Sequence, residues 1–187
     1  MTGCFTLVTG GARSGKSSFA EELVIKSNKE AIYIASSQIY DEEMRRRVEL
    51  HKTRRPSEWL TIEEPYQIDR VIKEFDRRDR IILIDCITVW LSNLLLQAGN
   101  LEEDEGQIIV QPGLEEDINL KVGKLGEIAQ NASADIVLVT NEVGWGVVPP
   151  SPIGRFYRDV AGRANQLLAK KADAVHLVIA GLALQLK

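Results

Sequence analysis

Eight consecutive residues, Gly10-Gly11-Ala12-Arg13-Ser14-Gly15-Lys16-Ser17, match the pattern G-x-x-x-x-G-K-[ST] without a mismatch. The chemistry this spacing serves is phosphate binding. Glycines let backbone N–H groups turn inward around phosphate oxygens, and a helix starting there adds the positive end of its dipole. Lys16 is then placed to bridge β- and γ-phosphates, and the Ser17 hydroxyl to ligate Mg²⁺. The same residues also read as a ligand-free turn, so the flanking elements matter: the phosphate reading needs a strand before Gly10 and a helix from Lys16.

Two further positions fit the same chemistry. Asp85 closes the apolar run Ile81-Ile82-Leu83-Ile84, where a nucleotide site needs a carboxylate to balance metal and phosphate; an ordinary strand-end or capping aspartate is the other reading. Asp135 opens its run instead, which puts it at the opposite edge of a sheet. His51 lies among Arg45, Arg46, Arg47, Lys52, Arg54 and Arg55. Alone, such a run is a solvated face with one stray histidine. Beside a phosphate loop, the cations read as phosphate contacts and the neutral imidazole as a nucleophile for phosphorus. The second histidine, His176, alternates with apolar neighbours and reads as structural.

The elements that must position these residues follow from periodicity. Residues 5–9 form a short β-branched run bounded by glycines. From Lys16, Phe19, Ala20, Leu23, Val24 and Ser27 recur at helical spacing, so the loop has its strand and its helix. Further strands are expected at 31–35, 59–62, 80–85, 135–140, 174–179 and 182–186. Helices are expected at 41–53, 66–78, 88–96, 114–131 and 155–171. In the first of these, Glu42/Arg46 and Glu43/Arg47 at i,i+4 add about 0.2–0.5 kcal/mol each. Runs apolar on both faces belong to parallel strands covered on both sides. The expected fold is α/β: a mostly parallel, RecA-like P-loop sheet flanked by helices and finished by an antiparallel C-terminal hairpin. One domain is expected over 1–187, with a polar, loop-like surface insertion at about 97–113.

Composition bounds the rest. The chain has 187 residues, 44% of them hydrophobic, with 23 Lys+Arg against 27 Asp+Glu. That excludes disorder for most of its length and disfavours a polyanion binder, which needs a basic excess. Cys4 and Cys86 are too few for a disulfide scaffold. Each sits in an apolar run where a buried thiol is expected, pointing to a reducing compartment. The first residues read as a buried strand rather than a leader, and the window 81–96 is broken by polar residues, so a soluble cytoplasmic protein is expected.

Among P-loop classes, a regulatory GTPase is disfavoured. No glycine follows Asp85 at switch-loop spacing, and Thr140-Asn141-Glu142-Val143 lacks the Lys and Asp of a guanine-reading loop. A large motor is disfavoured by size. A small-molecule kinase or nucleotidyltransferase remains.

Several segments together resemble one family: Val8 to Ser17, Tyr33-Ile34-Ala35-Ser36-Ser37-Gln38, Asp41-Glu42-Glu43-Met44, Arg47 and His51-Lys52 before Arg55-Pro56. Trp59 with Glu63, Asp85-Cys86-Ile87-Thr88, Val139 to Gly144, Arg158-Asp159, Gly162-Arg163 and Asn165-Gln166 complete the set. Over essentially the whole chain, it is similar to the bifunctional adenosylcobinamide kinase/adenosylcobinamide-phosphate guanylyltransferases of cobalamin biosynthesis. The resemblance implies phosphorylation of the aminopropanol hydroxyl of adenosylcobinamide by ATP or GTP. It further implies transfer of GMP from GTP to that phosphate through a GMP-histidine at His51, giving adenosylcobinamide-GDP. Lys16 shares the catalytic assignment. Implied nucleotide contacts are Gly10, Gly11, Ala12, Arg13, Ser14, Gly15, Lys16, Ser17, Ile34, Ala35, Ser36, His51, Lys52, Thr53, Arg54, Glu63 and Asp85, with Mg²⁺ on Ser17 and Asp85. Partners implied are the two cobinamide substrates and further copies of the chain, a trimer being the form named; nucleic acid and membrane insertion are not expected. Asn141, Glu142 and the Gly144-Trp145-Gly146 turn read either as a corrinoid contact or as a connecting loop. A single-activity P-loop kinase is the alternative function.

Overall fold

The computed structural model describes residues 2–38, 42, 46, 55–97, 101–104, 107–110 and 112–187. Most of the helix expected at 41–53 therefore lies outside the described residues, with His51, Lys52, Thr53 and Arg54; only Glu42 and Arg46 are described there, both helical.

In chain order the elements are β1 (Phe5–Gly10), α1 (Lys16–Ser27), β2 (Glu30–Ala35), β3 (Leu60–Glu63), α2 (Ile68–Phe75), β4 (Arg80–Asp85) and α3 (Ile87–Gln97). There follow β5 (Leu101–Asp104), β6 (Gln107–Val110), α4 (Leu114–Asn131), β7 (Asp135–Val139), α5 (Pro152–Lys171), β8 (Ala174–Ile179) and β9 (Leu182–Gln185). Seven strands form one sheet in the order β3-β2-β4-β7-β1-β8-β9. All neighbours are parallel except β8 and β9, which close the sheet as an antiparallel hairpin.

The double-sided apolar runs explain the layers. Leu7, Ile32, Ile34, Ile82, Ile84, Ile136 and Leu138 face one side, in a core completed by α2, α3, α4 and α5. Their neighbours Val8, Ala31, Tyr33, Leu83, Val137 and Val139 face the other side, against Ala20 and Val24 of α1. Successive side chains in a strand point to opposite faces, so a strand that is apolar at every position needs helices on both.

Several boundaries differ from expectation for identifiable reasons. Helix α2 stops at Phe75 because Asp76 turns away to accept hydrogen bonds from the Ser133 and Ala134 amides at 2.6 and 2.8 Å. Helix α5 begins three residues early, where the Ser151 hydroxyl caps it by accepting from the Gly154 amide and Pro152 occupies the first turn. Part of the insertion expected as a loop forms a two-stranded antiparallel ribbon, β5 with β6, separate from the main sheet; Ile108-Ile109-Val110 is the β-branched signal that its acidic neighbours masked. Cys4 is exposed rather than buried, since it precedes β1 at the sheet's rim, whereas Cys86 is buried.

Candidate active site

Strand register draws the candidate residues to one edge. Glu63 pairs with Ala35, Ala35 with Asp85, Asp85 with Val139 and Val139 with Val8, so these five share a row near the carboxyl ends of the strands. Ligands of open α/β sheets bind beyond such ends. Asp135 starts β7 at the opposite edge, as expected. Its two oxygens are used structurally, one accepting from the Cys4 amide and the other pairing with Lys29 at 2.7 Å.

The phosphate loop leaves β1 at Gly10 and enters α1 at Lys16. It is built by close approach. A Cβ on Gly10 would lie 2.4 Å from the Val178 carbonyl oxygen, and Gly15, at φ 98°, would put one 3.0 Å from Gly181 Cα. Arg13 also adopts a left-handed conformation, φ 57°. The turn between β8 and β9 supports the loop from behind, with the Gly181 amide donating to the Ser14 carbonyl at 2.8 Å. Lys16 is buried and donates from Nζ to the Gly11 carbonyl at 3.0 Å. Burial pulls its pKa below the ordinary lysine value, opposed by the charges of Cys86 and Asp85. The buried Ser14 hydroxyl has no hydrogen-bond partner among the described residues. A buried hydroxyl without a partner and a desolvated ammonium in the same loop are each costly unless an anion completes them.

Next to the loop lies a connected set of polar side chains. Thr9 Oγ1 donates to Glu142 Oε1 at 2.8 Å, and Asn165 Nδ2 donates to the same oxygen at 3.0 Å. Asn165 also accepts from Thr140 and donates to the Asn141 carbonyl, while the Glu142 amide donates to the Gly10 carbonyl at 3.0 Å. Asn141 Nδ2 donates to Thr88 Oγ1, which lies 3.2 Å from the buried Cys86 thiol, whose pKa burial raises. The end of β7 is thereby tied to β1, α3 and α5 together.

A third cluster surrounds Asp85. Tyr33, 2% exposed, bonds to Asp85; burial first, then the aspartate charge, hold its phenol well above the ordinary pKa, with the Arg55 charge opposing. The Arg55 guanidinium sits 3.3 Å above the Tyr33 ring centroid, an arrangement stabilised by the ring's quadrupole. Its Nε and Nη1 are buried without a hydrogen-bond partner among the described residues. Arg55 also lines, with Pro56, Ser57, Trp59, Thr61 and Glu63, an open pocket of about 330 Å³.

The structure thus brings Gly10 to Ser17, Ser36 and Asp85 into one region. Ser36 is fully buried and its hydroxyl clamps Cys86, donating to the carbonyl at 2.8 Å and accepting from the amide at 2.9 Å. The Ile34 side chain is committed to the core, and Ala35 lies under the same edge. Glu63 is exposed on β3, four strands from β1, roughly 19 Å at the usual strand spacing. From sequence, Arg55 is placed only within a run of phosphate-contacting cations, and no site role falls to Thr9, Tyr33, Thr88 or Asn165, although all four lie in segments that carry the family resemblance. The usable signal was polarity at inward positions: Asn165 sits on the buried stripe of α5 between Ala161 and Leu168.

Mg²⁺ fits these residues. Ser17 and Asp85 are both half-buried, and among the described residues no group of three or more His, Cys, Asp or Glu side chains could hold a metal. One hydroxyl and one carboxylate suit a hard cation that fills its shell with water and phosphate oxygens rather than a protein cage. Among the described residues, no helix is long and apolar enough to cross a membrane.

Comparison with known proteins adds two findings. The fold is similar to a type III secretion system ATPase from pathogenic bacteria, with TM-score 0.60 and 13% identity over 98% of this chain and 57% of that one. The assembled ATPase EscN of enteropathogenic Escherichia coli gives 0.55 and 14% over 95% and 43%; both likenesses speak for the fold alone. In sequence, the chain is 42% identical over 181 residues to the Escherichia coli "Bifunctional adenosylcobalamin biosynthesis protein CobU", covering 97% of this chain and 98% of that one. It is 43% identical to the Salmonella typhimurium protein of the same name, with the same coverage, and 39% identical to CobP of Pseudomonas aeruginosa, covering 97% and 96%. The model of one family, described as cobinamide kinase / cobinamide phosphate guanyltransferase, matches residues 6–186, which takes in the phosphate loop, the Asp85 edge and the Glu142 network alike. With a match of that extent, this chain belongs to the cobinamide kinase / cobinamide phosphate guanyltransferase family.

Proposed function

We propose that this chain phosphorylates the aminopropanol hydroxyl of adenosylcobinamide with ATP or GTP. It then transfers GMP from GTP to the new phosphate, releasing pyrophosphate and giving adenosylcobinamide-GDP. One observation carries the reading. A phosphate loop with a buried lysine and an orphaned buried hydroxyl lies at the head of a chain at least 39% identical, over nearly its full length, to relatives named as bifunctional. A cytoplasmic location and a homo-oligomer, with a trimer as the form to test, belong to the same reading.

The residues divide the work. The loop amides and Lys16 hold the β- and γ-phosphates and absorb charge as it develops on them. Ser17 and Asp85 would hold Mg²⁺, which would supply neutralisation of phosphate charge when bound. In the kinase step the corrinoid hydroxyl oxygen bonds to the γ-phosphorus as the β–γ bridge breaks. The hydroxyl proton needs an acceptor, and Glu142 is assigned that task. Its Oε1 is held by Thr9 and Asn165, Oε2 makes no hydrogen bond among the described residues, and its backbone lies against Gly10. In the second reaction His51 attacks the α-phosphorus of GTP; a P–N bond forms and pyrophosphate leaves. An oxygen of cobinamide phosphate then displaces the imidazole.

Labelled GTP tests this. Label at the α-phosphate is expected to remain on the protein as an acid-labile, hydroxylamine-resistant adduct that His51→Ala abolishes, and γ-label is expected on cobinamide. Transfer of γ-label without any covalent α-label would reduce the protein to a single-activity kinase. Neither transfer would make it a non-enzymatic nucleotide binder.

A further inference from the structure

We propose that the loop between β7 and α5 is the platform for the corrin ring, with Trp145, Val147 and Val148 holding the apolar face of the macrocycle beside the phosphate loop. This rests on the kinase reading above and adds the site for its large substrate.

The loop is long for its task. It spans residues 140–151, twelve positions between a strand and the helix that follows it, against the usual ~4–6 for such connections. Long ordered loops in compact domains are commonly binding elements. This one presents three large apolar side chains to solvent, Trp145 at 64%, Val147 at 95% and Val148 at 56% exposure. Large apolar side chains exposed close together in the chain point to a surface that something covers, a ligand or a partner.

Its ends are fastened, so the exposure belongs to a set conformation. At one end the Glu142 amide donates to the Gly10 carbonyl and Val143 packs into the core. At the other, Arg155 Nη1 donates to the Pro149 and Pro150 carbonyls at 3.2 and 2.6 Å. Gly154 lets Pro149 lie against α5, where a Cβ would come within 2.7 Å of the proline's own Cβ. An apolar surface held in place before binding loses little freedom when a ligand arrives.

Position selects the occupant. Trp145 is three residues past Glu142, hence at most about 11 Å along the chain from the residue bonded to Gly10. A macrocycle whose hydroxyl-bearing arm reaches the γ-phosphate must lie within an arm's length of that point. A corrin ring offers a broad conjugated face fringed with methyl groups, which suits an indole and two valines. The exposed leucines Leu182, Leu184 and Leu186 start one residue after Gly181, which touches the phosphate loop at Gly15, but they run back along the β9 edge, on the side of β1 opposite β7 and Glu142.

The test is equilibrium dialysis of cobinamide, read by its visible absorbance, against the full chain and the variants Trp145→Ala, Trp145→Phe and Val147→Asp. GTP affinity is measured as the folding control and light scattering gives the oligomeric state. The expected result is a cobinamide Kd raised about tenfold or more by Trp145→Ala and Val147→Asp, and much less by Trp145→Phe, with GTP affinity and oligomeric state at the wild-type values. An unchanged cobinamide Kd in both disruptive variants overturns the proposal. So does a rise accompanied by dissociation of the oligomer, which would assign the loop to a subunit contact, or by an equal loss of GTP affinity. If the wild-type chain binds no cobinamide, the kinase reading fails first and takes this proposal with it.

Discussion

Thr9 and Glu142, 133 positions apart in the chain, meet at 2.8 Å on one carboxylate oxygen, immediately beneath the phosphate loop. Thr9 is 5% exposed, and Asn165, the second donor to that oxygen, 8%. Removing the acceptor leaves two buried donors without partners, each costing about 1–3 kcal/mol. Glu142→Ala is expected to lower unfolding free energy by about 2 kcal/mol or more in urea titrations. Glu142→Gln retains an acceptor oxygen and should fold nearly as well, yet lose kinase kcat by about 100-fold or more if the carboxylate takes the hydroxyl proton. Covalent labelling by α-labelled GTP, which needs no such base, separates the two roles.

Lys16 carries a charge in a site that desolvates it. Replacing it with an apolar side chain of similar length removes that cost, so Lys16→Met is expected to melt no lower than wild type without nucleotide. The rise in Tm that nucleotide produces in the wild type should vanish in the variant. A drop in Tm for the nucleotide-free variant would show that the lysine instead holds the loop together through its bond to Gly11.

Gly15 and Gly181 touch where the C-terminal hairpin supports the phosphate loop, and Gly15 has φ 98°. A side chain there is strained by conformation and crowded by backbone, at a cost of about 1–3 kcal/mol. Gly15→Ala should therefore lower both stability and nucleotide affinity, measured by thermal melting and by nucleotide titration. Gly11→Ala, where an added Cβ meets nothing within 4 Å, should leave stability unchanged.

His176 stacks edge-on against Phe19 of α1 with centroids 5.1 Å apart, and burial lowers its pKa from 6.5. The unfolded chain then protonates at higher pH than the folded one. The contribution to stability is present above about pH 6.5 and is lost as pH falls through the folded value. Melting curves between pH 5 and 8 should show a pH-dependent loss in the wild type that is smaller in His176→Phe. Identical pH profiles would remove the imidazole from account.

The alternation of apolar runs with helical stripes, the glycine spacing from Gly10 to Ser17 and the carboxylate after Ile84 were all legible locally. Each is a pattern within one element, where periodicity and turn chemistry act over a few residues. What failed locally was decided at a distance. Helix α2 ends where Asp76 meets amides of residues 133 and 134, and no nearby signal marks it. Part of the 97–113 segment became a ribbon because its strands pair with each other.

The sequence by itself determined the α/β class, the phosphate loop and the family, since those depend on residue order along a strand, a turn and a helix. Only the tertiary structure decided that Thr9, Glu142 and Asn165 share one oxygen, that Tyr33 bonds Asp85 beneath Arg55, and that a C-terminal turn supports Ser14. Strand order β4-β7-β1-β8 juxtaposes residues far apart in the chain. Register then selects which of them come within hydrogen-bonding reach, and it is set by packing on both faces of the sheet rather than by any local motif.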